Sequence, residues 1–369
     1  MQSPVALRLS RAASPSADVA ARLDAPRQPD AWSLLPDELV AAGLGTSGER
    51  LFSELQRPWR WKQGAPAVGQ RVRRELARLG SVLPEISARH ASADGSHKLA
   101  LALPADGALV EAVHMPRSVR GGRVTLCISS QVGCALACSF CATGALGLER
   151  QLSAGEIVTE VLASVHALGP RHPGELTLVF MGMGEPLQNL ANVARAVRVL
   201  SHPSGLGLSP RRITVSTAGL VPQIGRFAML SDRPLLAVSL NATTNQLRDE
   251  LMPINRRYPL EMLQAALIAY PTRPRERITV EYVLLAGVND SPEDAARLAD
   301  FCAGFPHHVN LIPFNAHSHS TFAEPTEAAL TAFARAVLAH RPTLLTVRRS
   351  RARDVSGACG QLVANDAVV

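Results

Sequence analysis

Between Val124 and Val347 the chain repeats one pattern: a short apolar, β-branched run, a polar or glycine-rich break, then a stretch with helical periodicity. RVTLCISS, TLVFMGMGEP, RRITVSTAG, LLAVSL, ITVEYVLL and HVNLIPFN read as strands. EIVTEVLASVHAL, NLANVARAVRVL, VPQIGRFAM, PLEMLQAALIAY and SPEDAARLADF read as the helices between them, the first opened by a capping box of Ser153 and Glu156. Strands and helices alternating at this spacing form βαβ units around a parallel sheet. The count is six or seven strands, one or two short of a closed eightfold barrel. An α/β fold built as a partial (β/α) barrel fits best, and a doubly wound sheet is the alternative.

Ahead of the barrel, KLALALP and ALVEAVHMP are spaced to form an antiparallel hairpin leading into the first core strand. Residues 1–45 carry no sustained period and read as tail and linker, and 46–97 as a small helical accessory domain. Residues 98–350 make the barrel, and 351–369 a C-terminal loop. The 369 residues are 47% hydrophobic, enough to bury a substantial core, yet no apolar run approaches the roughly 18 residues of a spanning helix. The net charge of +7 is carried almost entirely by arginine, since Lys62 and Lys98 are the only lysines. Such a balance suits a polyanionic partner, because neutralising phosphates releases counterions; a solvated basic face accounts for it equally well. Arg57, Arg60, Lys62, Arg71, Arg73 and Arg74, interleaved with Trp59 and Trp61, are the candidates to touch nucleic acid. Six cysteines are too few for a disulfide scaffold and the N-terminus lacks a secretory core, so a reducing cytoplasm is expected.

Four of those cysteines fall within fifteen residues: Cys127, Cys134, Cys138 and Cys141. The last three form Cys-x-x-x-Cys-x-x-Cys in the loop after the strand RVTLCISS. Three thiolates on one tight loop can hold three irons of a cubane and leave the fourth open to a substrate ligand, whereas structural zinc wants four protein ligands. A zinc half-site completed by a distant histidine is the competing reading.

With Phe140 before the third cysteine and a partial barrel behind it, this segment resembles the radical S-adenosylmethionine superfamily. The turn Gly182-Met183-Gly184-Glu185-Pro186 follows at the end of the next strand, and Ser216, Ser239, Leu240, Asn241 and Asn315 lie at the ends of later ones. Cys359-Gly360-Gln361-Leu362, together with SSQVGCALACSFCATG, is similar to RNA adenine methyltransferases of the RlmN/Cfr type. The resemblance implies a [4Fe-4S] cluster on Cys134, Cys138 and Cys141. It implies S-adenosyl-L-methionine held by Gly184, Glu185, Ser216, Ser239, Leu240, Asn241 and Asn315. It makes Cys359 the methyl carrier, Cys127 the resolving thiol and Glu111 the base. A radical route is needed because the amidine carbon of adenine is not nucleophilic and cannot displace a sulfonium methyl directly. The implied partners are RNA, ribosomal or transfer, and a low-potential electron donor such as flavodoxin or ferredoxin, with the chain acting as a monomer and no membrane involved.

Carbon 2 of adenine is the favoured target and carbon 8 the rival; a zinc-dependent RNA-binding protein without catalysis is the second rival. Two departures stand out: Asn241 occupies a position that is usually His in the family, and Ala352 one that is usually Gly.

Overall fold

The computed structural model describes residues 30–363 except residue 46 and segments 62–65, 80–81, 118–121 and 170–174. One ten-stranded sheet dominates. Its first part is antiparallel: β1 (Glu85–Ala91), β2 (His97–Ala102), β3 (Leu109–Pro116) and β4 (Val124–Ile128) pair in sequence order. A separate two-stranded ribbon follows, β5 (Gln131–Gly133) with β6 (Leu148–Gln151), and brackets the cysteine loop. The sheet then continues in parallel through β7 (Leu176–Phe180), β8 (Ile213–Thr217), β9 (Leu235–Ser239), β10 (Ile278–Leu284), β11 (His307–Pro313) and β12 (Leu345–Val347). With β4 that makes seven parallel strands, and the order ends on β12 without returning to β4, so the barrel stays open.

The expected hairpin and strand–helix alternation are present, as is the Ser153 capping box, whose hydroxyl accepts from Glu156 N at 3.1 Å. Alternate residues of each strand face inward. Thr125 and Cys127 of β4, Thr279 and Glu281 of β10, and His308 and Asn310 of β11 therefore all line the lumen.

The N-terminal part differs from expectation. Residues 30–45, read as tail and linker, hold a 3₁₀ turn at Ala31–Ser33 and a helix at Pro36–Ala41, and bury Trp32, Leu39 and Leu44. These sparse apolar residues are too few to show a period, yet the turn Ala31–Ser33 packs on the barrel helices Ala154–Leu168 and Leu190–Ser201, and Pro36–Ala41 packs on Gly48–Leu55. Residues 1–29 lie outside the described residues. The stretch 46–97 is helical at Gly48–Leu55 and Gln70–Arg78, but then supplies β1, which completes the main sheet. Trp61, offered as a nucleic-acid contact, is core: it packs on Trp32 at 5.9 Å and His166 at 5.5 Å, and its indole donates to Glu54 O at 2.9 Å. Arg57 is tied to Gly205 O at 3.4 Å, while Arg60, Arg71, Arg73 and Arg74 are exposed and Lys62 is outside the described residues.

Candidate active site

Two adjoining cavities occupy the barrel. The first, about 160 Å³, lies at the carboxyl ends of the strands and is lined by Cys134, Cys138 and Cys141. The second, about 450 Å³, is the lumen below, where Cys127 sits. Met181, Glu281, Arg348 and Cys359 border both and so form the partition between them.

The cysteine loop is short and tethered. Cys134 N donates to Gly147 O at 2.7 Å, and Ala142 N to Gly360 O at 2.7 Å, so the loop is stapled to the C-terminal segment that carries Cys359. Burial pushes the Cys134 thiol up to about 12 and Cys138 and Cys141 upward too, with the neighbouring cysteine sulfurs adding to the effect. The three cysteines are half-buried, and a bound metal would deprotonate such thiols outright. All three open on one cavity, which fits a cluster that distributes three thiolates over separate irons.

Of the residues that the resemblance assigns to S-adenosyl-L-methionine, Gly184, Glu185, Ser216, Ser239 and Asn315 line that cavity. Gly184 has φ +96°, and a Cβ there would lie 2.5 Å from Gln131 Cβ, so the turn requires glycine. The Glu185 carboxylate bridges two turns, accepting from Leu187 N at 3.0 Å and Ala218 N at 2.8 Å. Burial raises its pKa to about 7 against those hydrogen bonds. Asn315 Nδ2 donates to Cys359 O at 3.1 Å and Ser350 Oγ at 2.9 Å.

Leu240 and Asn241 do not line either cavity. They act behind it: Leu240 O accepts from Arg248 Nε at 3.0 Å, and Asn241, in the left-handed region at φ 57°, accepts from Val283 N at 2.9 Å. Asn tolerates that backbone region better than most residues. Arg248 is fully buried and also donates to Ala218 O, Ser239 O and Asn255 Oδ1. Burial lowers its pKa to about 10, with Cys138 opposing.

Cys127 is buried, and burial followed by the Cys359 sulfur raises its pKa. Arg348 stands beside both; Cys359 foremost, then Glu281 and Cys127, raises the guanidinium's pKa against the cost of burial. Glu111 is not on the surface, as a strand residue read alone would be, but fully buried. It pairs with Lys98 Nζ at 3.0 Å, accepts from Val363 N at 3.1 Å, and lines neither cavity. The sequence reading missed Lys98, Arg248, Glu281 and Arg348. Only Arg348 had a signal, its position in the arginine-rich approach to Cys359.

Residues 128–299 match the model of the Radical SAM superfamily. The chain is 46% identical over 342 residues to the dual-specificity RNA methyltransferase RlmN of Geobacter sulfurreducens, covering 90% of this chain and 91% of that one. The protein of the same name from Syntrophobacter fumaroxidans is 52% identical over 273 residues, 73% of this chain and 77% of its own. This chain belongs to the RlmN family of radical SAM methyltransferases. A solved radical SAM methyltransferase from Sphaerobacter thermophilus superposes on it with a TM-score of 0.81 at 39% identity, covering 91% of this chain and 99% of the other. As an RlmN-family enzyme the chain is a methyltransferase, and among its described residues no helix is long and apolar enough to cross a membrane.

Proposed function

We propose that this RlmN-family enzyme methylates carbon 2 of an adenine in ribosomal RNA, and in transfer RNA as well, through a methyl group carried on Cys359. The observation that carries this reading is that Cys359 borders both cavities, so one thiol can receive a methyl group on one side and present it on the other. Cys134, Cys138 and Cys141 would hold a [4Fe-4S] cluster, and Gly184, Glu185, Ser216, Ser239 and Asn315 would enclose S-adenosyl-L-methionine beside it. When bound, the cluster supplies the electron that cleaves S-adenosyl-L-methionine reductively, fed by a flavodoxin- or ferredoxin-like donor.

The chain's own residues divide the remaining work. Arg348 stands beside both sulfurs, and at Cys127 its charge opposes the burial that raises that thiol. Cys359 takes the methyl group and later forms the bond to the base. Glu111 removes the ring proton, which requires the segment Gly357–Val363 to lift from above it. Cys127 then attacks the Cys359 sulfur: the S–S bond forms as the bond from that sulfur to the methylene carbon breaks, and the carbon keeps the electron pair and takes a proton to become the methyl group of the freed RNA. The exposed Arg60, Arg71, Arg73 and Arg74 give the N-terminal helices a basic face for the RNA backbone, and the enzyme acts as a monomer in a reducing cytoplasm.

The test is mass mapping of methyladenosines in RNA from a deletion strain against the complemented strain. A carbon-2 methyl group lost and restored supports the reading; a carbon-8 methyl group replaces the target atom, and an unchanged map overturns both.

A further inference from the structure

The partition between the two cavities holds a carboxylate with one oxygen unused. Glu281 is 4% exposed; its Oε1 accepts from Asn310 Nδ2 at 3.1 Å and lies 3.7 Å from Arg348 Nη1, while its Oε2 has no hydrogen-bond partner among the described residues. Leaving a buried acceptor unmade costs about 1–3 kcal/mol, so such an atom calls for an explanation.

Its orientation is fixed by the sheet. Glu281 on β10 is paired in register with Asn310 on β11, and Asn310 with Thr346 on β12. The Thr346 hydroxyl donates to Asn310 Oδ1, which turns the Asn310 amide N–H toward Glu281 Oε1. The unused oxygen therefore sits on a carboxylate held from behind, on a wall that borders the lumen and also carries Cys359. Ionised beside the Arg348 guanidinium, that oxygen can only accept, so a ligand atom meeting it must be a hydrogen-bond donor. Arg117, Arg349 and Arg351 also line the lumen, Arg349 paired with Glu327 and Arg351 with Asp94; arginines suit a sugar–phosphate chain, which leaves the Glu281 end to the base.

We propose that Glu281 is a specificity-determining residue whose free oxygen accepts a hydrogen bond from the exocyclic amine of the target adenine. This rests on the adenine-methylation reading above. A 6-oxo purine would instead set its carbonyl oxygen against the carboxylate, and enzymes that extrude a base for chemistry read its edge in this way. A site built to hydrogen-bond a substrate N–H rejects an analogue lacking it far more strongly than a pocket rejects a missing methylene.

The test uses the reconstituted full-length enzyme and a synthetic RNA hairpin that the wild type methylates, made with adenosine, purine riboside or inosine at the target. For the wild type, kcat/KM is expected to fall at least about 100-fold on purine riboside and further on inosine. In Glu281→Gln, Asn310 continues to donate to the side-chain oxygen, so the new amide N–H₂ takes the place of the free oxygen. Adenosine should then lose about 100-fold or more, while inosine overtakes it. Wild-type turnover of purine riboside equal to that of adenosine overturns the proposal without any variant. So does an equal loss of Glu281→Gln on all three RNAs accompanied by a raised KM for S-adenosyl-L-methionine, which would place Glu281 with the cofactor. Failure of the wild type to methylate adenosine in any RNA overturns the parent reading first, and this inference with it.

Discussion

Lys98 and Glu111 form an ion pair of 3.0 Å on neighbouring strands, both side chains less than a tenth exposed, beneath the segment that carries Cys359. Breaking a buried pair by removing one partner is costly because the other charge stays behind unpaired, whereas replacing both with apolar residues is often near neutral. Lys98→Met should accordingly lose about 3–5 kcal/mol of stability in denaturant unfolding. Lys98→Met/Glu111→Leu should recover most of that loss while remaining inactive. A single variant within about 1 kcal/mol of wild type would show that water reaches the pair.

Ala352 carries backbone strain. It sits at φ 56°, in the left-handed region where a Cβ costs roughly 1–2 kcal/mol, so glycine is the unstrained choice. A glycine also frees the unfolded chain, which offsets part of the gain. Ala352→Gly should raise stability by about 0.5–1 kcal/mol, read as an upward shift in Tm. A lower Tm would mean that the Ala352 methyl, buried beside Gly357, contributes more by packing than its backbone loses.

The barrel was legible because its strands are apolar runs bounded by glycine and polar breaks, and the cysteine loop because three thiols at tight spacing have few uses. Glu281 and Lys98 were illegible for a common reason. A charged residue inside an apolar strand looks like the solvent-facing half of an alternation, and only the pairing of that strand with neighbours on both sides turns its face inward. Arg248 was hidden differently: its partners are the backbone carbonyls of Ala218, Ser239 and Leu240, which no side-chain pattern encodes. The helix Glu327–His340 escaped notice because alanine dominates it and weakens any apolar stripe.

Asp30 gives the fold a pH dependence. Its carboxyl lies against the start of the helix Ala154–Leu168, and burial, with Glu156 adding to it, raises its pKa from 3.8 to about 6. Between those values the unfolded chain is ionised at this group while the folded chain still holds the proton. Stability from this group is therefore present below pH 4 and is lost as pH rises toward 6, by up to about 3 kcal/mol. Asp30→Asn keeps an acceptor for Ser33 N and removes the titration. It should melt higher than wild type at pH 7.5 and level with it near pH 4. Parallel curves at both pH values would assign the raised pKa no role.

The exposed Arg71, Arg73 and Arg74 predict how RNA binding responds to salt. Replacing all three with Glu should weaken RNA affinity and flatten the slope of log affinity against log salt, leaving S-adenosyl-L-methionine cleavage unchanged. An unaltered slope would return that helix to an ordinary solvated face.

The proposed function asks opposite things of Cys127 and Cys359. Cys359 follows Gly357 on a segment held by hydrogen bonds, such as Gln361 Nε2 to Ala316 O at 2.9 Å, and borders both cavities. Cys127 is fixed in β4 between two paired strands and can only wait in the lumen. Cys359→Ala should therefore yield neither methylated protein nor any RNA adduct. Cys127→Ala should stop later, with RNA covalently joined to Cys359, because among the described residues no other thiol lines the lumen to attack that bond. Glu111→Gln should trap a similar species, the ring proton having lost its base. Each variant, purified from cells, would be run on a denaturing gel with and without ribonuclease. A Cys127→Ala enzyme that turns over normally and shows no ribonuclease-sensitive band would return Cys127 to the core and leave the release of product to another group.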